Sequence, residues 1–155
     1  MKKRGEIEVL ARGVVVVNGQ LLLCHSKGAR NRYLPGGHVE FMERAADALE
    51  REVLEEMGLR AKAGRFLGAV EHTFTQRGRS HCEVNLIFEM AVRGLAPDTP
   101  PPSREASIEF LWIPLSGLAR SRIEPYVLLA KLPGWLAAED RIQRWASSGR
   151  RGNSC

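Results

Sequence analysis

The pattern of apolar and polar positions predicts an antiparallel hairpin near the start of the chain. Two apolar runs, residues 14–17 and 20–24, flank the dipeptide Asn18-Gly19. Asn-Gly is typical of a two-residue type I′ turn, because both residues tolerate the positive φ that this turn requires. Residues 7–11 alternate in polarity and predict a further strand or its lead-in. The first sixth of the chain is therefore expected to be β-structure.

A helix is predicted immediately before Gly58, because apolar residues recur there at a spacing of three or four. This apolar stripe consists of Ala46, Leu49, Val53 and Met57. Such spacing places the side chains on one helix face, which is expected to pack on the core. Gly58 is suited to a left-handed cap at the helix end. The Pro35-Gly36-Gly37 turn before the helix permits close backbone approach.

Strands and loops alternate after this helix. Residues 63–74 and 84–92 have strand character and are joined by a basic turn at residues 76–79. Residues 95–105 contain four prolines, which predicts a loop. Residues 108–113 predict another strand, which Pro114 ends before a short helix at residues 115–118.

Two helices are predicted in the C-terminal part. Pro125 is expected to begin the first, which runs through Lys131 and is interrupted by Pro133. The second follows from the helical spacing of Trp135, Ala138, Ile142 and Trp145. Residues from Ser147 onward are expected to be disordered.

The order of elements predicts an α/β fold in one domain. Strands precede the first helix, strands follow it, and helices end the chain, which favours a mixed sheet with helices on both faces. The 155 residues suffice for one core, so residues 1–148 are expected to form a single domain and residues 149–155 a tail.

The predicted helix at residues 46–57 carries the chemistry. Glu52, Glu55 and Glu56 lie at positions i, i+3 and i+4, so they share one face. Carboxylates held this close repel one another unless a cation lies among them, and oxygen ligands suit a hard divalent ion. Magnesium or manganese bound there would favour metal-assisted hydrolysis of a phosphoanhydride. A glutamate beside the ion can accept the proton of the attacking water.

The same segment resembles the Nudix box of the MutT-like Nudix hydrolases. Its specified positions are all present between residues 37 and 59, without a gap: Gly37, Glu43, Arg51, Glu52, Val53, Glu55, Glu56, Gly58 and Leu59. The resemblance implies an α/β/α sandwich and a metal-dependent hydrolase that uses Mg²⁺ or Mn²⁺.

The resemblance also implies roles for individual residues. The three helix glutamates are expected to be metal ligands or, for Glu52 or Glu55, the catalytic base, with Glu56 the surest ligand. A backbone carbonyl at the Gly36-Gly37 turn is a further expected ligand. Arg51 is expected to orient a carboxylate, with Glu43 as the candidate partner.

Candidate residues outside the box are less specific. Glu105 is expected to complete the metal site, with Glu83 and Glu71 as rivals, and Glu83 is also a candidate for substrate binding. Candidate phosphate contacts are the side chains of His38, Arg30, Arg32, Arg77 and Arg79, because guanidinium groups match phosphate oxygens in pairs. Candidate stacking partners for a base are Tyr33, Phe41 and Phe74.

Composition and charge indicate the expected class of ligand and the expected cellular location. The net charge of +5 favours anionic ligands such as nucleotides. The apolar runs fall short of the ~20 residues of a membrane span, and no hydrophobic segment follows the basic N-terminus. Three unpaired cysteines, Cys24, Cys82 and Cys155, favour reduced thiols and a cytoplasmic location.

The expected activity is hydrolysis of a nucleoside diphosphate derivative, releasing a nucleoside monophosphate. ADP-ribose, nucleotide sugars and nucleoside triphosphates all remain possible substrates. The alternatives are an RNA 5′-end pyrophosphohydrolase and a domain that senses a nucleotide without cutting it. The sequence does not fix the oligomeric state, and the resemblance leaves a homodimer open because many members of the family are dimers.

Overall fold

The computed structural model describes residues 5–137 and 143–148. In chain order the strands are β1 (Glu8–Val14), β2 (Val16–Val17), β3 (Gln20–Ser26), β4 (Gly36–His38), β5 (Ala61–Gln76), β6 (Arg79–Val92), β7 (Ile108–Pro114) and β8 (Trp145–Ser147). The helices are α1 (Ala45–Met57) and α2 (Leu128–Leu136), with a 3-10 helix at Leu115–Arg120.

The strands form two sheets of mixed direction. The larger sheet has the order β4-β1-β6-β5-β8, and the smaller has the order β2-β3-β7. The β1–β6 and β5–β8 pairs are parallel, whereas the other pairs are antiparallel. The predicted hairpin turn is confirmed, since Asn18 and Gly19 have φ angles of 50° and 73°.

Two hydrophobic cores cover opposite faces of the sheets. Strand β3 contributes to both, because Leu21 and Leu23 point into one core while Leu22 and Cys24 point into the other. Helix α1 packs in the core that contains Leu22, and α2 packs in the core that contains Leu21. This arrangement confirms the predicted sheet with helices on both faces.

Helix α1 follows its predicted apolar stripe. Leu49, Val53 and Met57 are buried, and Gly58 caps the helix with φ 72° while its N–H donates to the Leu54 carbonyl oxygen at 2.9 Å. Ala48 is also fully buried, although helical spacing places it on the carboxylate side of the helix. The core therefore extends under the glutamates and reaches Glu56.

The C-terminal helix predictions are partly wrong. Helix α2 begins at Leu128 rather than Pro125, and it continues through Pro133 because Leu132 and Trp135 on its other side are buried. Trp145 belongs to strand β8, whose central residue Ala146 is buried in the α2 core. Ser147 lies in the same strand, whereas Ala138, Ile142 and residues 149–155 lie outside the described residues.

Among the residues that the structure covers, no helix has the length and apolar character needed to cross a membrane.

The turn before α1 contains a strained residue. Met42 has φ 66° and is 90% exposed, so its side chain gains no burial that offsets the left-handed backbone. Met42→Gly is expected to raise the free energy of unfolding by about 1 kcal/mol, measured by urea denaturation. Phe41→Gly is the matched control, because Phe41 is 95% exposed but lacks a positive φ, and it should not stabilise. Equal effects of both substitutions would contradict the strain.

Candidate active site

The three glutamates of α1 occupy different environments. Glu56 is only 7% exposed, the Glu52 side chain is 18% exposed and the Glu55 side chain is 57% exposed. The Oε2 atom of Glu56 is buried and has no hydrogen-bond partner in the described part of the chain. A buried carboxylate oxygen without a partner is costly, and a bound cation would offset that cost.

Several charges meet at Glu56. Burial raises its pKa to about 7, and the negative charges of Glu52, Glu105 and Glu55 raise it as well. The positive charge of Arg12 acts in the opposite direction. Glu56 therefore lies within electrostatic reach of three other carboxylates and of the Arg12 guanidinium group.

The metal-free protein is expected to lose stability as pH rises. The pKa of Glu56 in the folded chain, about 7, lies above its ordinary value of 4.5, so the folded state holds the extra proton between these pH values. Deprotonation of Glu56 is expected to cost about 3 kcal/mol between pH 4.5 and pH 7.

Urea denaturation in EDTA from pH 5 to pH 8 measures this loss, and Glu56→Gln should show a flatter profile. Parallel profiles for the two proteins would contradict the assignment.

The Gly37 backbone and the Glu52 carboxylate lie against each other. A Cβ atom added at Gly37 would come within 2.6 and 2.7 Å of the two Glu52 carboxylate oxygens. Strand β4 is fixed by its pairing with β1, in which Ala11 is opposite Gly37. The absence of a side chain at residue 37 therefore brings Glu52 close to the main chain of the Gly36-Gly37 turn.

Arg51 connects the turn to the helix. Its Nε and Nη2 atoms donate to the two carboxylate oxygens of Glu43 at 2.8 and 2.9 Å. Its Nη1 atom donates to Glu52 at 3.1 Å and to Glu55 at 3.4 Å. These bonds hold the pKa of Glu43 at about 2. The predicted pairing of Arg51 with Glu43 is present, and Arg51 also orients Glu52 and Glu55.

Arg51→Ala is expected to lower the free energy of unfolding by about 2 kcal/mol, because Glu43 loses both hydrogen bonds. Arg51→Lys should recover only part of this loss, since an ammonium group cannot form the paired contact. Thermal unfolding and turnover of both variants test the role. If both variants keep wild-type values, Arg51 has no orienting role.

The carboxylates fit a divalent cation in chemistry but are not already gathered around one. Within residues 5–137 and 143–148, no three His, Cys, Asp or Glu side chains converge closely enough to hold a metal ion. One carboxylate oxygen of Glu52 and one of Glu55 already accept hydrogen bonds from Arg51. The all-oxygen donor set and the unpartnered Oε2 atom of Glu56 match the ligand preference of Mg²⁺ or Mn²⁺.

The predicted outer carboxylates separate into different places. Glu105 acts electrostatically on Glu56, and the neighbouring Arg104 N–H donates to the Glu56 carbonyl oxygen at 2.6 Å. Glu83 instead accepts a hydrogen bond from Asn85 at 3.1 Å on strand β6. Glu71 is exposed. Glu105 is thus the outer carboxylate that stands near the box helix.

A cleft of about 690 Å³ opens over the α2 core, and none of the α1 glutamates lines it. Four predicted substrate-site residues line it: Arg30, Tyr33, Phe74 and Glu83. Others do not line it: His38 contacts Glu8 at 2.7 Å, the main chain of Arg32 bonds to Arg122 and Glu124, and Arg79 is exposed at the start of β6. Arg77 and Phe41 are also outside its lining.

Arg12 was not predicted, yet it joins the cleft to the box. Its Nη1 atom donates to the carbonyl oxygens of Leu34 at 3.2 Å and Gly36 at 2.8 Å. Its guanidinium group lies 5.3 Å from the centre of the Tyr33 ring. The available signal was a polar residue inside an apolar strand pattern, which both Arg12 in β1 and Asn85 in β6 give.

A family model for the NUDIX domain matches residues 8–132. The chain belongs to the NUDIX family. The box of this NUDIX chain thus lies within a domain match that extends across both sheets and most of α2.

This NUDIX chain is 35% identical over 72 residues to human diphosphoinositol polyphosphate phosphohydrolase 3-beta, covering 46% of the chain and 44% of that protein. The match thus spans less than half the length of that relative.

Its fold resembles the E. coli ORF135 protein (TM-score 0.65, 20% identity, 89% of this chain and 96% of the other). It also resembles the MutT protein of Methanosarcina mazei Go1 (TM-score 0.63, 22% identity, 88% and 96%).

Proposed function

We propose that this chain hydrolyses a phosphoanhydride bond in nucleoside diphosphate derivatives and requires a divalent cation. The observation that carries the proposal is the buried, unpartnered Oε2 atom of Glu56, whose carboxyl group also feels the negative charges of Glu52, Glu55 and Glu105. Family membership supports a hydrolase, and the complete box supports retained catalysis rather than sensing alone.

The proposed ligands are Glu52, Glu55, Glu56 and Glu105, with the Gly37 carbonyl oxygen. A cation bound there would neutralise phosphate charge and make a bound water more acidic. The ion is expected to be Mg²⁺, with Mn²⁺ as a substitute.

The chain's own residues supply the proton acceptor. Glu52 or Glu55 takes the proton that a water molecule loses as its oxygen attacks phosphorus. The bridging P–O bond breaks, and its electron pair stays with the departing phosphoryl oxygen. Arg51 holds both candidate bases by hydrogen bonds from its Nη1 atom, so it serves as a positioning residue.

The cleft is the proposed substrate site. Tyr33 and Tyr126 line it and offer ring faces to a base, whereas the Phe74 ring is already stacked with two histidine rings. Arg12 and Arg30 offer guanidinium groups to the diphosphate. Substrate contacts of His38, Arg32 and Arg79 stay predictions, since these residues do not line the cleft. Substrate candidates are ADP-ribose, nucleotide sugars and nucleoside triphosphates, releasing a nucleoside monophosphate.

A substrate panel tests the proposal. The protein would be incubated with Mg²⁺, Mn²⁺ or EDTA and with ADP-ribose, an ADP-hexose, ATP, a dinucleoside polyphosphate and a diphosphoinositol polyphosphate. Products formed in ¹⁸O water identify which phosphorus is attacked. Metal-dependent release of a nucleoside monophosphate supports the proposal, whereas binding without turnover favours a sensing domain.

Triphosphorylated RNA extends the panel, because the +5 charge also suits a polyanion. A preference for RNA that falls steeply with added salt would favour an RNA 5′-end pyrophosphohydrolase. The homodimer and the cytoplasmic location stay predictions.

A further inference from the structure

The charges in the cleft are balanced. Two guanidinium groups, Arg12 and Arg30, and two carboxylates, Glu83 and Glu124, line its described part, and no lysine does. Burial lowers the pKa of His72, and the negative charges of the two carboxylates only partly oppose this shift. The ring is therefore neutral near pH 7. A densely phosphorylated ligand would place further negative charges beside Glu83 and Glu124.

One polar row crosses the cleft floor. The Nε atom of Arg12 donates to Asn85 Oδ1 at 3.4 Å, and Asn85 Nδ2 donates to Glu83 Oε2 at 3.1 Å. Asn85 is only 1% exposed, so its amide group bonds Arg12 and Glu83 from the protein interior. The row therefore has a cationic end beside the box turn and an anionic end away from it.

Hydrogen-bond chemistry assigns the two ends. A phosphate carries only acceptors at neutral pH and suits the Arg12 end. A carboxylate carries only acceptors and needs donors, which the hydroxyl groups of a sugar provide. One Glu83 oxygen is bonded to Asn85, and its second oxygen has no hydrogen-bond partner among the described residues. Two adjacent hydroxyl groups are the simplest neutral donors for such a pair of oxygens.

We propose that Glu83, fixed by Asn85, binds a vicinal diol of the substrate, with Glu124 facing the same part of the cleft. The chain then acts on diphosphates that carry neutral, hydroxyl-bearing groups and rejects densely phosphorylated polyols. This inference rests on the proposed function and narrows its substrate class. The diol belongs either to the ribose of the nucleoside or to a second sugar beyond the diphosphate.

Matched substrates separate these two sources. The set is ADP-ribose, its 2′-deoxyadenosine counterpart, its analogue without the 2-hydroxyl group of the second ribose, and a diphosphoinositol polyphosphate. Wild type, Glu83→Ala and Glu124→Ala would be compared, with Glu109→Gln as a control. Glu109 lies on β7 outside the cleft lining. Thermal unfolding establishes that each variant is folded.

Wild type is expected to disfavour one of the two deoxy substrates by about tenfold to a hundredfold in kcat/KM, because the carboxylate is left unpaired. Glu83→Ala should reduce kcat/KM for the full-hydroxyl substrate by a similar factor, mainly through KM, and make the ribo and deoxy compounds equal. Loss at the 2′-deoxyadenosine compound identifies the nucleoside ribose, and loss at the analogue without the 2-hydroxyl group of the second ribose identifies the second sugar.

Three results would overturn the inference while leaving the proposed function intact. They are equal turnover of all hydroxylated and deoxy pairs, an equal loss on every substrate in Glu83→Ala, and diphosphoinositol polyphosphate as the preferred substrate. No turnover of any compound by folded protein would instead count against the proposed function. Calorimetric affinities for the same pairs would then test whether Glu83 binds a diol. A preference for the full-hydroxyl compound that is lost in Glu83→Ala supports diol binding, and equal affinities overturn it.

Discussion

Replacing Glu56 by glutamine is expected to lower kcat by on the order of 10³-fold or more, because the missing charge is worth several kcal/mol to a metal-assisted transition state. The substitution keeps the size and shape of the side chain. Glu56 is 7% exposed and its Oε2 atom lacks a partner, so no protein hydrogen bond to that atom is lost. The loss should therefore lie in metal affinity and chemistry rather than in folding.

Three measurements test this expectation: turnover with saturating Mg²⁺, Mn²⁺ affinity by calorimetry, and unfolding in EDTA. Glu109→Gln serves as the control, because it removes an exposed carboxylate of β7. Wild-type turnover in Glu56→Gln would remove Glu56 from the site and with it the observation that carries the proposed function. A large loss of stability in EDTA would show instead that Glu56 is structural.

Gly37→Ala is expected to lower kcat by about 10²-fold with little effect on thermal unfolding, because small displacements of catalytic groups are costly. The new Cβ atom would collide with the Glu52 carboxylate, which is the movable end of a side chain. Glu52 can turn away, so the fold is retained. Its carboxylate then leaves the Gly36-Gly37 turn, and the donor set is broken.

Gly36→Ala provides the contrasting neighbour. Gly36 has φ 129°, and an added Cβ atom would collide with the main-chain carbonyl oxygen of Ala11. Main chain in a paired strand cannot move aside, so this variant is expected to lose more than about 3 kcal/mol of unfolding free energy. Wild-type activity in Gly37→Ala, or equal instability of both variants, would contradict the proposed contact between Gly37 and Glu52.

The parts of the fold with a local signal were predictable. The Asn18-Gly19 turn needs only two residues of suitable φ, and α1 combines an apolar stripe with Gly58 as its cap. Trp145 shows the limit of periodicity. Its distance from Trp135 suits a helix, but strand β8 is only three residues long and is defined by pairing with Ala69–Glu71.

The site was predictable where its residues share one element. Three glutamates on α1 and their partner Arg51 follow from spacing within the box. Arg12 and Asn85 were missed because their contact depends on the parallel pairing of β1 with β6, which periodicity does not reveal. Sequence spacing also could not tell that Glu105, rather than Glu83 of β6, lies near α1, because both residues are far from α1 along the chain.

The division into two cores has a consequence for changing this protein by design. The carboxylates stand on α1, whose apolar face fills one core. The cleft is floored by Leu34, Ile87 and Leu128, which belong to the other core. Libraries that vary the cleft wall but keep Tyr33, which packs against the α1 core, therefore leave the packing beneath the box in place. Specificity and hydrolytic power become separable design variables, with Arg12 as the residue to keep constant between them.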